Sequence, residues 1–359
     1  MNLWRKHPSP QPDPAPFLAD SEADAAMPRT QHRDPAPVTR SAPASIDLSD
    51  APEVRAHAVV AAQTPRVWLH VSLFLLTLLS MTAAGALQRG VNPFAGLDQL
   101  VHLVEGIPYA AALLGILTVH ELGHYFAARR WGVQATLPYF LPLPIHLFGT
   151  LGAVIRLRSQ IPHKRALLDI GAAGPLAGVV VAIIACAVGL PQSRVVSPEY
   201  FQQSPFAHAD MVIQLGEPLL FKGLAALFSP EVGPEQTVIL SPLAFAGWVG
   251  LFITAVNLFP VGQLDGGHIC YALWGQGHRL VGRATFGLLL GSGIYGILSG
   301  GLWGWIVFAF FLALLGSLFG WDHPSPHHPA IPLNRWRRGV GLLCLLVFAL
   351  CFTPVPFGF

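Results

Sequence analysis

The chain has 359 residues, 53% of them hydrophobic and only 11% charged, with a mean hydropathy of +0.52. A charged share this far below the quarter typical of soluble domains excludes an ordinary water-soluble globule and makes lipid the solvent for most of the chain. A formal net charge of +2 gives no reason to expect a nucleic-acid partner.

Residues 1–65 stand apart. They are rich in Pro, Ala, Ser and Asp and poor in large apolar side chains. Such a segment cannot bury enough apolar surface to offset the entropy of ordering, so a disordered tail is expected there. No apolar core follows Arg5 and Lys6, which excludes a secretory signal, and the near balance of acidic and basic residues argues against an organelle transit peptide. Residues 66–359 form the membrane domain, with its core near 107–268. Apolar segments of about the 20 residues needed to cross a bilayer occur near 68–88, 107–128, 166–190, 238–260, 284–300, 302–320 and 338–354. The expected fold is an all-α polytopic membrane protein with about six to seven transmembrane helices and a short membrane-associated β element. The Gly-rich pair at 284–320 reads as a hairpin or one broken helix, and Gly287-x-x-x-Gly291 as a face for close helix packing.

If the N-terminus is cytoplasmic and all seven segments cross, 18 of the 21 basic residues fall on the cytoplasmic side; Arg89, Arg194 and Lys222 are the exceptions. That bias sets the expected orientation and suggests a bacterial inner membrane. Between the spans, Pro138, Pro142 and Pro144 break any long helix across 133–148. The stretch 149–158, with its β-branched residues, reads as a short strand or hairpin. Non-helical backbone at membrane depth must be buried in protein or line a wet cavity, so this stretch should sit against a site.

Chemistry concentrates in His120-Glu121-Leu122-Gly123-His124, at the cytoplasmic end of the second span. On a helix, positions i and i+4 share a face, so the two imidazoles can hold one metal ion, and Glu121 can reach a metal-held water as general base. The bland alternative is a polar cluster that packs helices. A catalytic zinc site needs a third protein ligand. Asp265 fits, in Asn257-Leu-Phe-Pro260-Val-Gly-Gln-Leu-Asp265-Gly266-Gly267 at the cytoplasmic end of another span. Its bland alternative is a capping aspartate at a turn. Two imidazoles and a carboxylate suit zinc. Asp169 reads as a helix-start carboxylate, and His268 as facing the cytoplasm rather than supporting the ligands. His323, His327 and His328 lie in a Pro-rich loop where metal storage is conceivable, and Gly174-Pro175 reads as a packing feature. Cys186, Cys270, Cys344 and Cys351 lack paired spacing and read as small buried hydrophobes.

These residues together resemble the site-2 protease family of membrane-embedded zinc metallopeptidases. The resemblance rests on HELGH at 120–124, on Asn257-x-x-Pro260-x-x-x-Leu264-Asp265-Gly266, and on Gly171-Ala-Ala-Gly174-Pro175-Leu-Ala-Gly178, and runs from about residue 68 to 324. It implies one zinc per chain held by His120, His124 and Asp265, with Glu121 as catalytic base and Asn257 contacting substrate or the transition-state carbonyl. It also implies a metalloendopeptidase that cuts transmembrane segments of membrane protein substrates, with 149–158 as the family's β element, able to pair with an unwound substrate. The 191–237 segment leaves no room for the PDZ domain of many members, so the chain looks closer to the compact forms, a group that includes chloroplast proteins. The expected partners are a transmembrane substrate and the lipid bilayer; the oligomeric state is open. Two rival readings are a membrane metal transporter, because intramembrane His and Asp also mark ion pathways, and an inactive adaptor that keeps the fold.

Overall fold

The computed structural model describes residues 67–358 apart from 92–95, 145–146, 198–199, 201–213, 234, 299–304, 307, 311 and 314–322. The tail expected to be disordered and most of the 302–320 segment lie outside the described residues. The helices are α1 (Val67–Gln88), α2 (Ile107–Arg130), α3 (Lys164–Gly189), α4 (Leu219–Phe228), α5 (Pro242–Asn257), α6 (Asp265–Trp274), α7 (His278–Leu298) and α8 (Arg335–Cys351). A 3-10 segment, Leu97–Gly106, leads into α2. The strands are short: β1 (Tyr139–Pro142), β2 (Thr150–Val154), β3 (Arg194–Val196), β4 (Gln214–Leu215), β5 (Thr237–Ile239) and β6 (Phe357–Gly358). They pair antiparallel as β1–β2, β3–β5 and β4–β6.

The fold is therefore mostly helical with small sheets. Four described stretches are long and apolar enough to cross a membrane: Val67–Gln88, Leu97–Arg130, Lys164–Gln192 and Asp265–Leu298. The apolar run at 238–260 gives a shorter helix than expected. Residues 237–239 are taken by β5, and Ser241 caps α5 by accepting from the Ala244 N–H at 3.2 Å, with Pro242 in its first turn. Asn257 ends it, two residues before Phe259-Pro260. The reverse holds for 284–300: the helix starts earlier, at His278, and follows α6 after a short 3-10 turn at Gly275–Gly277.

The core is the α2–α3–α5 packing, with α6 against α3. On α2 one stripe is buried, Tyr109, Leu113, Ile116, Leu117, His120 and His124, at helical spacing. The HELGH residues thus continue the apolar packing face. They do not interrupt a lipid-facing surface. On α3 the matching positions are small, Gly171, Gly174, Gly178 and Ala182, which lets the two backbones close up.

The β1–β2 hairpin bears out the strand expected at 149–158. Its register, Tyr139↔Val154, Phe140↔Ala153 and Pro142↔Thr150, slips between Phe140 and Pro142. Proline has no N–H to give the ladder, so an irregularity there is expected. The hairpin is held inside the protein. Tyr109 donates to the Phe148 carbonyl at 3.1 Å, Ser80 to the Gly149 carbonyl at 2.7 Å, and Gln88 to the Leu147 carbonyl at 3.3 Å. Tying these carbonyls to α1 and α2 satisfies backbone that lipid could not.

Candidate metal centre

Two helices bring three possible ligands to one point. His120 and His124 come from α2, and Asp265 is the first residue of α6. The two histidines are 3% and 6% exposed, so neither is placed for bulk solvent. The His120 and His124 Nε2 atoms are 3.1 Å apart, and Asp265 Oδ2 lies 3.4 Å from the first and 3.2 Å from the second. Ligand atoms about 2.0–2.1 Å from a tetrahedral zinc stand roughly 3.3 Å from one another. The donor set and its spacing therefore fit a single zinc-like ion, and this is the one such cluster among the described residues.

Local structure explains how each ligand is aimed. The His124 Nδ1–H donates to the Ile170 carbonyl on α3 at 2.7 Å. That bond fixes the tautomer and turns the Nε2 lone pair toward Asp265. Gly174 and Gly178 make space for the rings. A Cβ on Gly174 would collide with the His124 ring at Nε2, and one on Gly178 would stand 3.1 Å from His120 Nδ1. The Gly174 position is thus closer to the chemistry than a packing feature. Behind Asp265, a Cβ on Gly266 would collide with the Leu258 carbonyl. Glycine there lets the 258–264 turn fold back and deliver the carboxylate.

Two more expected residues reach the site. Asn257, the last residue of α5, places Nδ2 3.2 Å from His120 Nε2. Glu121 is buried beside the ligands, with the Ile155 backbone, just past β2, close to its carboxylate. All five residues expected from the sequence are therefore brought to one place.

Other residues depart from expectation. Asp169 is not simply a helix-start carboxylate. Arg337 on α8 grips it from two nitrogens at 2.8–3.1 Å, and the Trp131 indole donates to it at 3.1 Å. His268 is half-buried and hydrogen-bonds the buried His323. His327 and His328 are exposed, and the described residues show no metal cluster there. The Ile170 carbonyl was not anticipated, because a backbone acceptor has no residue-type signature. The four cysteines are free and buried, as expected.

Residues 108–294 match the model of Peptidase family M50. The chain is 32% identical over 298 residues to "Probable zinc metalloprotease EGY2, chloroplastic" of Arabidopsis thaliana, covering 80% of this chain and 48% of that protein. It is 33% identical over 264 residues to "Probable zinc metalloprotease EGY1, chloroplastic" of the same plant, covering 69% and 43%. The rice (Oryza sativa subsp. indica) EGY2 is 32% identical over 276 residues, covering 75% and 46%. The chain thus spans about half the length of the curated relatives it matches. No solved structure matches it. With the family match covering more than half of its residues and enclosing both the His120–His124 pair and Asp265, the chain belongs to Peptidase family M50, the site-2 protease family.

Proposed function

We propose that this chain is an intramembrane zinc metalloendopeptidase, which hydrolyses peptide bonds in or near transmembrane segments of other membrane proteins. The observation that carries the reading is the triangle formed by buried His120 and His124 with Asp265, and Glu121 on the same turn as the histidines. Ionisable groups are costly in an apolar helix bundle and mark function by default.

His120, His124 and Asp265 would hold one zinc. When bound, zinc supplies Lewis acidity, which acidifies a water and polarises a carbonyl. Glu121 then takes a proton from the attacking water and returns it to the leaving amine. In this reading the Asn257 amide, 3.2 Å from His120, donates to the developing oxyanion. The outer edge of β2 has no strand partner among the described residues. A locally unwound substrate could add there as a strand and run past Glu121. Helical peptide bonds are shielded by their own hydrogen bonds, so substrates with helix-weakening residues should be cut best.

The reading has six to seven crossings, with α5 and α8, of 16 and 17 residues, counted among them. It puts the N-terminus and the ligand end toward the cytoplasm of a bacterial inner membrane. Arg129, Arg130, Lys164, Arg165 and Arg337 gather at the ligand end, which supports that orientation. The chloroplast location in the relatives' names is said of those proteins.

The test is cleavage of a model single-span substrate by purified protein, wild type against Glu121→Gln at equal zinc content. The expected result is cutting by wild type and a loss of about 100- to 10,000-fold in the variant with zinc retained. A metal transporter needs no general base, so zinc flux into liposomes undiminished in the variant, with no cutting by either protein, would overturn the reading.

A further inference from the structure

The family match ends at residue 294. Beyond it, residues 323–337 return to the ligand end of the bundle and run into the first turn of α8. This strap is tied down along its length. The His327 and His328 amides donate to the Ile161 and Pro162 carbonyls at 3.0 and 2.8 Å. The Arg165 guanidinium donates to the Pro332 carbonyl at 2.8 Å. Asn334 caps α8 by accepting from the Arg337 amide at 3.0 Å.

Each end of the strap grips a helix that carries or orients a metal ligand. At one end, buried His323 hydrogen-bonds His268, one helical turn after Asp265 on α6. Tyr271 on the same helix stacks on the His323 ring at 4.7 Å, and its hydroxyl meets Ser325 at 3.0 Å. At the other end, Arg337 makes its forked ion pair with Asp169 on α3. The guanidinium also lies over the Trp131 ring at 5.4 Å, at the C-terminus of α2. Asp169 is followed directly by Ile170, whose carbonyl holds His124.

We propose that this strap is a positioning element for the metal centre: through His323–His268 it sets α6 and so Asp265, and through Arg337–Asp169 it sets the Ile170 carbonyl and so His124. The inference rests on the metal-centre reading above. The side chains of Arg337 and Asp169 are 21% and 29% exposed, and an ion pair that wet adds little stability of its own. A forked guanidinium–carboxylate pair nevertheless fixes direction. Here the fixed direction is that of the helix turn against which His124 is aimed. Groups that orient a metal's ligands typically change metal affinity or activity when removed.

The experiment uses the full chain in detergent and follows chelator-driven zinc release, the visible spectrum after replacement by cobalt(II), and kcat and KM on the model substrate. Asp169→Asn and Arg337→Gln are each expected to speed zinc release about tenfold, at the low end of what such partners contribute. Both should lower kcat with little change in KM, and the double variant should be no worse than either single one. Arg337→Lys, which keeps the charge but not the fork, should fall between. His323→Gln should give the same signature from the other end and stays informative if the Asp169 variants fail to fold. Arg338→Gln, an exposed charge on the same helix, should behave as wild type. Unchanged zinc release and an unchanged cobalt spectrum in Arg337→Gln and His323→Gln, with only thermal stability lowered, would overturn the inference and leave the strap a plain brace. A wild-type protein that binds neither metal stoichiometrically would instead overturn the metal-centre reading, and this inference with it.

Discussion

Both α3 and α7 carry a pair of glycines four residues apart, and of these two pairs only the one on α3 is covered among the described residues. On α3, Gly174 and Gly178 are pressed against the His124 and His120 rings. On α7, Gly287 and Gly291 have the same i, i+4 spacing, yet a Cβ at either would meet nothing within 4 Å among the described residues. They line an open groove with Ala284, Leu288, Ser292 and Tyr295. In lipid there is no hydrophobic drive to bring helices together, so small residues only permit close approach. On α3 there is something to gain: α2 presents its own Gly123 and two rings that need a wall. The expectation that Gly287-x-x-x-Gly291 is a packing face therefore finds no partner within the described chain. Spacing marks a permissive surface, and the facing residues decide whether it is used.

The sharpest way to break this comparison is Gly174→Ala. The added methyl would collide with His124 Nε2, and the ligand cannot stay where it is. Zinc affinity measured by chelator competition is expected to fall by at least about 100-fold, beyond the range seen for outer partners. Wild-type affinity in this variant would mean that α3 does not wall the site. Gly178→Ala is milder, because 3.1 Å from His120 Nδ1 asks the ring to give only a few tenths of an ångström. A loss of about tenfold is expected in the same assay. Gly123→Ala tests the backbone contact rather than the rings. Its Cβ would stand 2.6 Å from the Ala173 carbonyl oxygen, and overpacking of this kind costs about 1–3 kcal/mol. Thermal unfolding should report that loss, with zinc affinity falling less than in Gly174→Ala.

The site was legible in the sequence to the extent that its parts have a residue type and a spacing. His120, Glu121 and His124 announce themselves because i and i+4 share a face, and Asp265 because an acidic residue at the end of an apolar run needs a reason. Gly174 was visible as a packing feature, but a glycine in a packing motif does not say which atom it makes room for. The Ile170 carbonyl carried no signal at all. The Asp169–Arg337 pair joins residues 168 positions apart, and nothing local to either end names the other. Among the elements, the 149–158 strand was readable from its β-branched residues, whereas the slip at Phe140/Pro142 depends on its partner strand. The late start of α5 was written in Ser241-Pro242 and its early end in Pro260, but both were outvoted by the apolar run around them. The early start of α7 was hidden for the opposite reason. His278, Arg279 and Arg283 interrupt the hydropathy while leaving the backbone free to be helical.

The smallest expected effect is also the control that the comparison needs. Gly291→Ala adds a methyl where the described chain offers no neighbour, and alanine favours a helix over glycine by about 1 kcal/mol. Zinc affinity and cleavage should match wild type, and thermal stability should hold or rise slightly. Gly291→Leu presses the point harder, because leucine is at home against lipid but would pry apart a second helix lying on the groove. If it too is silent in both assays, the α7 face is open to lipid and the contrast with α3 stands. If it lowers zinc affinity or cleavage while Gly291→Ala does not, the groove is covered in the membrane-embedded protein. The two glycine faces would then differ only in what covers them, and not in whether they are used.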